Sequence, residues 1–253
     1  MTGRARAGRT ATLAGTVCLG LTALLTGCGQ EEDPDEGTNG LGKLSPAKAE
    51  MKARKAAESA SAVRLTGNVE SKGGTHRLEM RLTGNGGMGQ VSTKGGGTFE
   101  LLRVGQDLYL KAGGDFWARQ AKSGAKPTEA DLRAAGKLDG KYVKVPRGDP
   151  AYKQLRGFTD KRVLLDGLLA MDGKRAADER GEVGGLETLR VTAGEGASGG
   201  SVHVSLNGTP YPLQVERAGG RGKVELTDWN KKFTLRAPKK EHTVDYGKQI
   251  TAD

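Results

Sequence analysis

A chain of 253 residues with a formal charge of +10 is long enough for one domain with a substantial core, and its size alone does not call for two. Its two cysteines, Cys18 and Cys28, exclude a disulfide-stapled scaffold, and aromatic residues at 4% leave little stacking surface. Lys and Arg form no four-residue cluster and no interleaving with aromatics, so nucleic acid is not an expected partner.

The N-terminus reads as an export signal. Arg4, Arg6 and Arg9 precede an apolar stretch over residues 11–25 of secretory h-region length. A membrane-spanning helix would need about 20 apolar residues, and the chain turns polar at Gln30-Glu31-Glu32-Asp33. No paired arginine is present, which favours the general secretion route over the twin-arginine one. Leu25-Thr26-Gly27-Cys28 resembles a bacterial lipobox: an aliphatic residue, two small residues and a cysteine at the cleavage point. Residues 1–27 are therefore expected to be a lipoprotein signal peptide. Cys28 is expected to carry an S-diacylglycerol and an N-acyl chain, with the protein lipid-anchored on the extracellular side of the cytoplasmic membrane. Acyl chains at about 0.8 kcal/mol per buried methylene hold a protein there stably when two or more are present.

Loss of the three signal arginines leaves +7, and Glu31, Glu32, Asp33, Asp35 and Glu36 place five negative charges just after Cys28. The remainder is then basic by about +12, a charge that suits anionic headgroups or wall polymers and equally suits solvated strand and helix faces. Residues 28–42 are predicted to be a flexible acidic tether, and residues 43–253 the folded domain.

In chain order, Ser45-Pro46 opens a helix running to about Ala62, with a thin apolar face of Leu44, Met51 and alanines. Residues 76–83 then alternate strictly, Leu78, Met80 and Leu82 facing a core and Arg77, Glu79 and Arg81 facing water. Further strands are predicted over residues 63–70, 90–94, 99–104 and 108–111, with Lys72-Gly73-Gly74 and Asn85-Gly86-Gly87 as hairpin turns. Thr128-Glu129-Ala130-Asp131 is a capping-box variant and Asp149-Pro150 a second helix start; residues 142–145 between them alternate like a strand. Residues 163–171, capped by Thr159 or Asp160, form a short buried helix whose Leu164, Leu165, Leu168 and Leu169 face something apolar. Strands resume over residues 179–183, 187–193, 201–206, 211–217, 223–228 and 233–235, with Asn207-Gly208 as a turn. About ten or eleven antiparallel strands tend to curl or close.

The lipobox, the Ser45-Pro46 helix, the run Phe99-Glu100-Leu101-Leu102-Arg103-Val104-Gly105-Gln106-Asp107-Leu108-Tyr109-Leu110 followed by Phe116-Trp117, the segment Gly208-Thr209-Pro210-Tyr211-Pro212-Leu213-Gln214-Val215-Glu216, and Thr227-Asp228-Trp229-Asn230 together resemble the actinobacterial LppX/LprG lipoproteins of the wider LolA-like group. The resemblance implies an α+β fold, a strongly curved antiparallel half-barrel whose concave face is covered by helices and holds the acyl chains of a lipid or glycolipid. Leu78, Met80, Leu82, Leu164, Leu165, Leu168 and Leu169 are then the candidate ligand-facing or core residues. Expected partners are the membrane through acylated Cys28, a lipid or glycolipid ligand, and a lipid exporter or wall polymer; the chain is expected to be a monomer without a cofactor. The alternative is a non-enzymatic envelope scaffold or sensor with a filled core.

Catalytic signatures are weak. Gly196-Ala197-Ser198-Gly199-Gly200 has nucleophile-elbow spacing but precedes a strand in a glycine-rich turn. Gly84-Asn85-Gly86-Gly87-Met88-Gly89 has dinucleotide-loop spacing but joins strand to strand. His76 and His203, read on polar strand faces, and His242 are too dispersed for zinc, and Asp228-Trp229-Asn230 reads as a turn with a packed indole.

Overall fold

A computed structural model describes residues 33, 35–71, 74–120, 126–194 and 199–245. The expected signal peptide, the lipobox with Cys28, the Lys72-Gly73 turn and Ser198 lie outside these residues. From Asp35 onward the chain forms one unit. Its strands are β1 (Ala62–Ser71), β2 (Gly74–Thr83), β3 (Gly86–Thr93), β4 (Gly97–Val104), β5 (Asp107–Ala112), β6 (Tyr142–Val145), β7 (Arg175–Val183), β8 (Leu186–Ala193), β9 (Gly200–Ser205), β10 (Pro212–Arg217), β11 (Gly222–Thr227) and β12 (Thr243–Asp245). The helices are α1 (Pro46–Ser59), α2 (Gly114–Gln120), α3 (Glu129–Gly136), α4 (Pro150–Thr159) and α5 (Lys161–Leu169).

The twelve strands of the described residues lie in one sheet, ordered β12-β6-β5-β4-β3-β2-β1-β11-β10-β9-β8-β7. Two antiparallel meanders, β1 to β6 and β7 to β11, meet where β1 pairs with β11. Side chains alternate, so one face collects the apolar set. Leu226, Leu65, Met80, Gly89, Leu101 and Leu110 follow one another across six adjacent strands of that face. Leu65, Met80 and Leu226 are fully buried there. The expected α+β half-barrel is present, with α1, α4 and α5 packed on the concave side.

Two glycines let the sheet bend. Gly67 (φ 154°) and Gly89 (φ 156°) sit inside central strands in a conformation closed to other residues. A Cβ would stand 2.1 Å from the Lys223 carbonyl oxygen at the first and 2.0 Å from that of Glu79 at the second.

Several expectations need correction. Residues 233–235 are not a strand, although they alternate. β11 already has β1 and β10 on its two sides, so no edge is open to the segment that follows it. Asp228 (φ 53°) and Asn230 (φ 60°) turn the chain off the sheet, and it next pairs as β12, parallel to β6, at the distant free edge. Among the described residues the strands number twelve, and one pairing is parallel. α2 was not expected; Asp139 accepts from the Gly114 N–H at 2.9 Å and the Trp117 indole donates to the Ala112 carbonyl at 3.2 Å. α1 stops at Ser59, and its buried face consists of Ala49, Ala53, Ala56 and Ala57 with Glu50, while Met51 is exposed.

The segment from Asp35 to Lys43 is docked, which differs from the tether expected up to residue 42. Leu41 is buried, the Asn39 amide donates to the carbonyls of Ser205 (2.9 Å) and Gly208 (3.1 Å), and Asp35 pairs with Arg180. Leu41 supplies the apolar anchor and Asn39 the polar one, within a stretch whose acidic composition masks them.

Candidate functional site

The sequence places the caps that set α4 and α5. Asp149 accepts from the Ala151 N–H at 2.8 Å before Pro150, and Asp160 accepts from the Val163 N–H at 3.3 Å. α5 thus follows α4 after a single residue, and the two helices lie over the concave face at the end of β1, β10 and β11. Between them and the sheet is a cleft of about 370 Å3.

Phe158, Leu164, Leu168, Val69, Val215 and Val224 make its apolar wall, and Asn68, Glu70, Gln154 and Arg217 also line it. Val163, 57% exposed, lies in the same lining. Gly157 of α4 and Gly167 of α5 line it too, and a Cβ added at either would meet nothing within 4 Å. Glycine inside a helix costs about 1 kcal/mol relative to alanine. Both helices therefore carry that cost where a side chain would narrow the cleft.

Long cations fix the helix ends around it. Arg217 donates through Nη1 to the Ala170 carbonyl (2.6 Å) and through Nη2 to those of Gly167 (2.7 Å) and Leu168 (3.0 Å). Burial, with Arg221 nearby, lowers its pKa. Lys161 reaches the end of α1, donating to the carbonyls of Ala57 (3.3 Å), Glu58 (2.8 Å) and Ala60 (2.5 Å). Burial lowers the pKa of its ammonium, with Glu58 opposing. Arg54 also reaches the Leu169 carbonyl. Cations at helix C-termini meet the negative end of the helix dipole, so part of the basic excess is structural.

Glu50 joins α1 to the first residue of β7. Arg175 Nε lies 2.5 Å from its Oε2 and Arg54 Nε 3.2 Å from its Oε1. Burial alone would raise the Glu50 carboxyl; bonds and charge from Arg175, then Arg54, outweigh it and hold the pKa low.

The sequence-derived candidates separate into two sets. Leu164 and Leu168 line the cleft. Leu78, Met80 and Leu82 are fully buried, and Leu165 and Leu169 nearly so, in the core between helices and sheet. His76 shares the inward face with Leu78 and Met80, opposite to expectation, its ring 5.9 Å from that of Phe158. His203 is outward, as read, although partly buried. Gly157, Gly167 and Arg217 belong to no motif of the sequence; a glycine inside each of two successive helices is the one local signal for them. Among the described residues, no group of three His, Cys, Asp or Glu could hold a metal, and no helix is long and apolar enough to cross a membrane.

No protein-family model matches the sequence, and no curated protein matches it. Solved structures with a similar chain course do exist. The chain is similar to LppX- and LprF-type mycobacterial lipoproteins at the level of fold. LprF from Mycobacterium bovis is 14% identical with a TM-score of 0.49, covering 76% of this chain and 96% of that one. Lipoprotein LppX from Mycobacterium tuberculosis is 10% identical with a TM-score of 0.47, covering 76% and 98%. A putative outer membrane lipoprotein-sorting protein domain from Vibrio parahaemolyticus is 12% identical with a TM-score of 0.27, covering 75% and 95%.

Proposed function

We propose that this chain is a non-catalytic lipoprotein, held on the extracellular side of the cytoplasmic membrane through acylated Cys28, that carries a lipid acyl chain in the α4–α5 cleft. The observation that carries this reading is the pair of helical glycines, Gly157 and Gly167, keeping open an apolar cleft lined by Leu164, Leu168 and Phe158. At about 370 Å3 the cleft lies near the lower end of the roughly 300–1,000 Å3 usual for small-molecule sites. That size suits one chain of a lipid or glycolipid, with the headgroup near Glu70, Gln154 and Arg217. Such a carrier would receive its load from, or pass it to, a lipid exporter or another acceptor in the envelope.

Native mass spectrometry of the mature chain from its own host, beside Gly157→Leu/Gly167→Leu, tests the cleft. The wild type should retain lipid, and the leucine variant should lose it while folding at least as stably. Equal occupancy of both would end this reading. Anchoring is tested separately: Cys28→Ala should move the protein from membranes to the soluble fraction.

The second reading, an envelope scaffold, draws on the filled centre of the half-barrel, where Leu65, Leu78, Met80 and Leu82 leave no exposed surface. It predicts lipid-free protein in the same measurement.

A further inference from the structure

One end of the sheet gathers features that the cleft does not use. At that end the docked Asn39 backbone N–H donates to the Leu206 carbonyl at 2.8 Å and the Thr38 N–H to the Asp35 carbonyl at 3.1 Å, so the docked segment starts in a turn beside the β9–β10 loop. The β7–β8 hairpin turns there through Gly184 and Gly185, followed by Leu186, 43% exposed. Leu206 N–H donates to the Glu187 carbonyl at 2.9 Å, fixing that hairpin beside the loop. Tyr211 and Trp229 stack there, ring centroids 4.7 Å apart and 7° from parallel. The indole donates to the Pro212 carbonyl at 3.2 Å and the Tyr211 hydroxyl accepts from the Asn230 amide at 2.6 Å. Both rings and Leu186 border a groove of about 590 Å3. Lys231, paired with Asp228 at 3.3 Å, and Lys232 stand exposed just beyond Trp229.

We propose that this end of the domain is the surface that rests on the membrane, at headgroup depth. The proposal rests on the anchoring at Cys28 proposed above. Cys28 is seven residues before Asp35, and seven extended residues span at most about 25 Å. A tether of that reach lets the end beside Asn39 rest on the bilayer. That end presents what an interface favours: amphipathic aromatic rings, an aliphatic hairpin tip and lysines for anionic headgroups. Glu182, Glu225 and Asp228 also line the groove, and these carboxylates stop the contact at the headgroups. The shared strands then orient the cleft. β11 starts at Gly222 in the cleft wall and ends at Thr227 beside the groove, a separation of roughly 17 Å along the strand. The cleft accordingly opens away from the bilayer, and lipid is exchanged with a carrier standing above the membrane instead of being drawn sideways from the leaflet.

The test uses the mature chain, whose single cysteine is Cys28, coupled to a maleimide lipid in phosphatidylcholine/phosphatidylglycerol vesicles and compared with the same chain coupled to a soluble maleimide. Amide hydrogen exchange should slow several-fold on vesicles for residues 183–187, 207–212 and 228–233, and stay unchanged for residues 154–168 and 217–223. Leu186→Glu should remove the protection of residues 183–187. Protection of the cleft segments, equal protection of both ends, or protection of neither would overturn the proposal. Chemical coupling makes the outcome independent of acylation in the cell, and exchange at the groove does not read cleft occupancy. Failure here therefore leaves the carrier reading intact, and lipid-free protein leaves this one intact.

Discussion

Arg103, projecting inward from β4, holds Thr159 at the end of α4 through two hydrogen bonds, Nε to Oγ1 at 3.1 Å and Nη2 to the carbonyl oxygen at 2.8 Å. Asp160, the cap of α5, lies 3.8 Å from the same guanidinium. One buried cation thus fixes the junction of the two helices that cover the cleft. Arg103→Met removes both bonds and leaves the Thr159 carbonyl buried without its donor, a loss expected at about 3 kcal/mol. Thr159→Val keeps the carbonyl contact and should lose only about 1 kcal/mol. Urea unfolding of both variants checks this order.

Glu50 gives a pH-dependent test. Its carboxyl is held below the usual carboxylate range, so its contribution to stability is present above the unfolded-state value and disappears as pH falls through the native one. Glu50→Gln should lose about 2–3 kcal/mol at neutral pH. The gap to wild type should shrink in acid, read as converging Tm values.

His203 acts in the same direction for a different reason. Burial lowers its pKa, with Arg190 and Lys223 adding and Glu216 opposing. The unfolded chain therefore binds a proton first on acidification, and stability falls as pH drops below about 6.5 until the native value is reached. His203→Gln should flatten Tm over that window; an unchanged slope would show that other groups set it.

Gly89→Ala should damage the fold more than its single methyl suggests, since that Cβ would lie 2.0 Å from the Glu79 carbonyl oxygen. A loss above about 2 kcal/mol is expected, against a gain of about 0.5–1 kcal/mol for Gly157→Ala in the open wall of the cleft. Thermal unfolding of the two variants distinguishes structural from cleft glycines.

Much of the fold was legible because its signals are local. Arg77 to Leu82 alternate at strand period, and β2 follows. Thr128 and Asp131 make the reciprocal capping box that opens α3. What escaped depends on distant partners. α2 takes its N-terminal acceptor from Asp139, well beyond any helix window. β12 is three residues long and exists because β6 has a free edge, whereas Phe233 to Leu235 alternate equally well beside strands already paired. The leucines of α5 show the same limit at the site. Periodicity identifies Leu164, Leu165, Leu168 and Leu169 as apolar, but the position of α4 decides which of them line the cleft.

The β1–β11 pairing that joins the two meanders has a consequence for the order of folding. Leu65 and Leu226 are neighbours although about 160 positions apart along the chain, and such long-range pairing makes folding slow. Until β11 is in place, β1 lacks one of its two partners, and a chain ending before residue 150 has neither α4 nor α5 over the concave face. The sheet is therefore completed only when β11 takes its place, and that pairing commits the two meanders to one folded form.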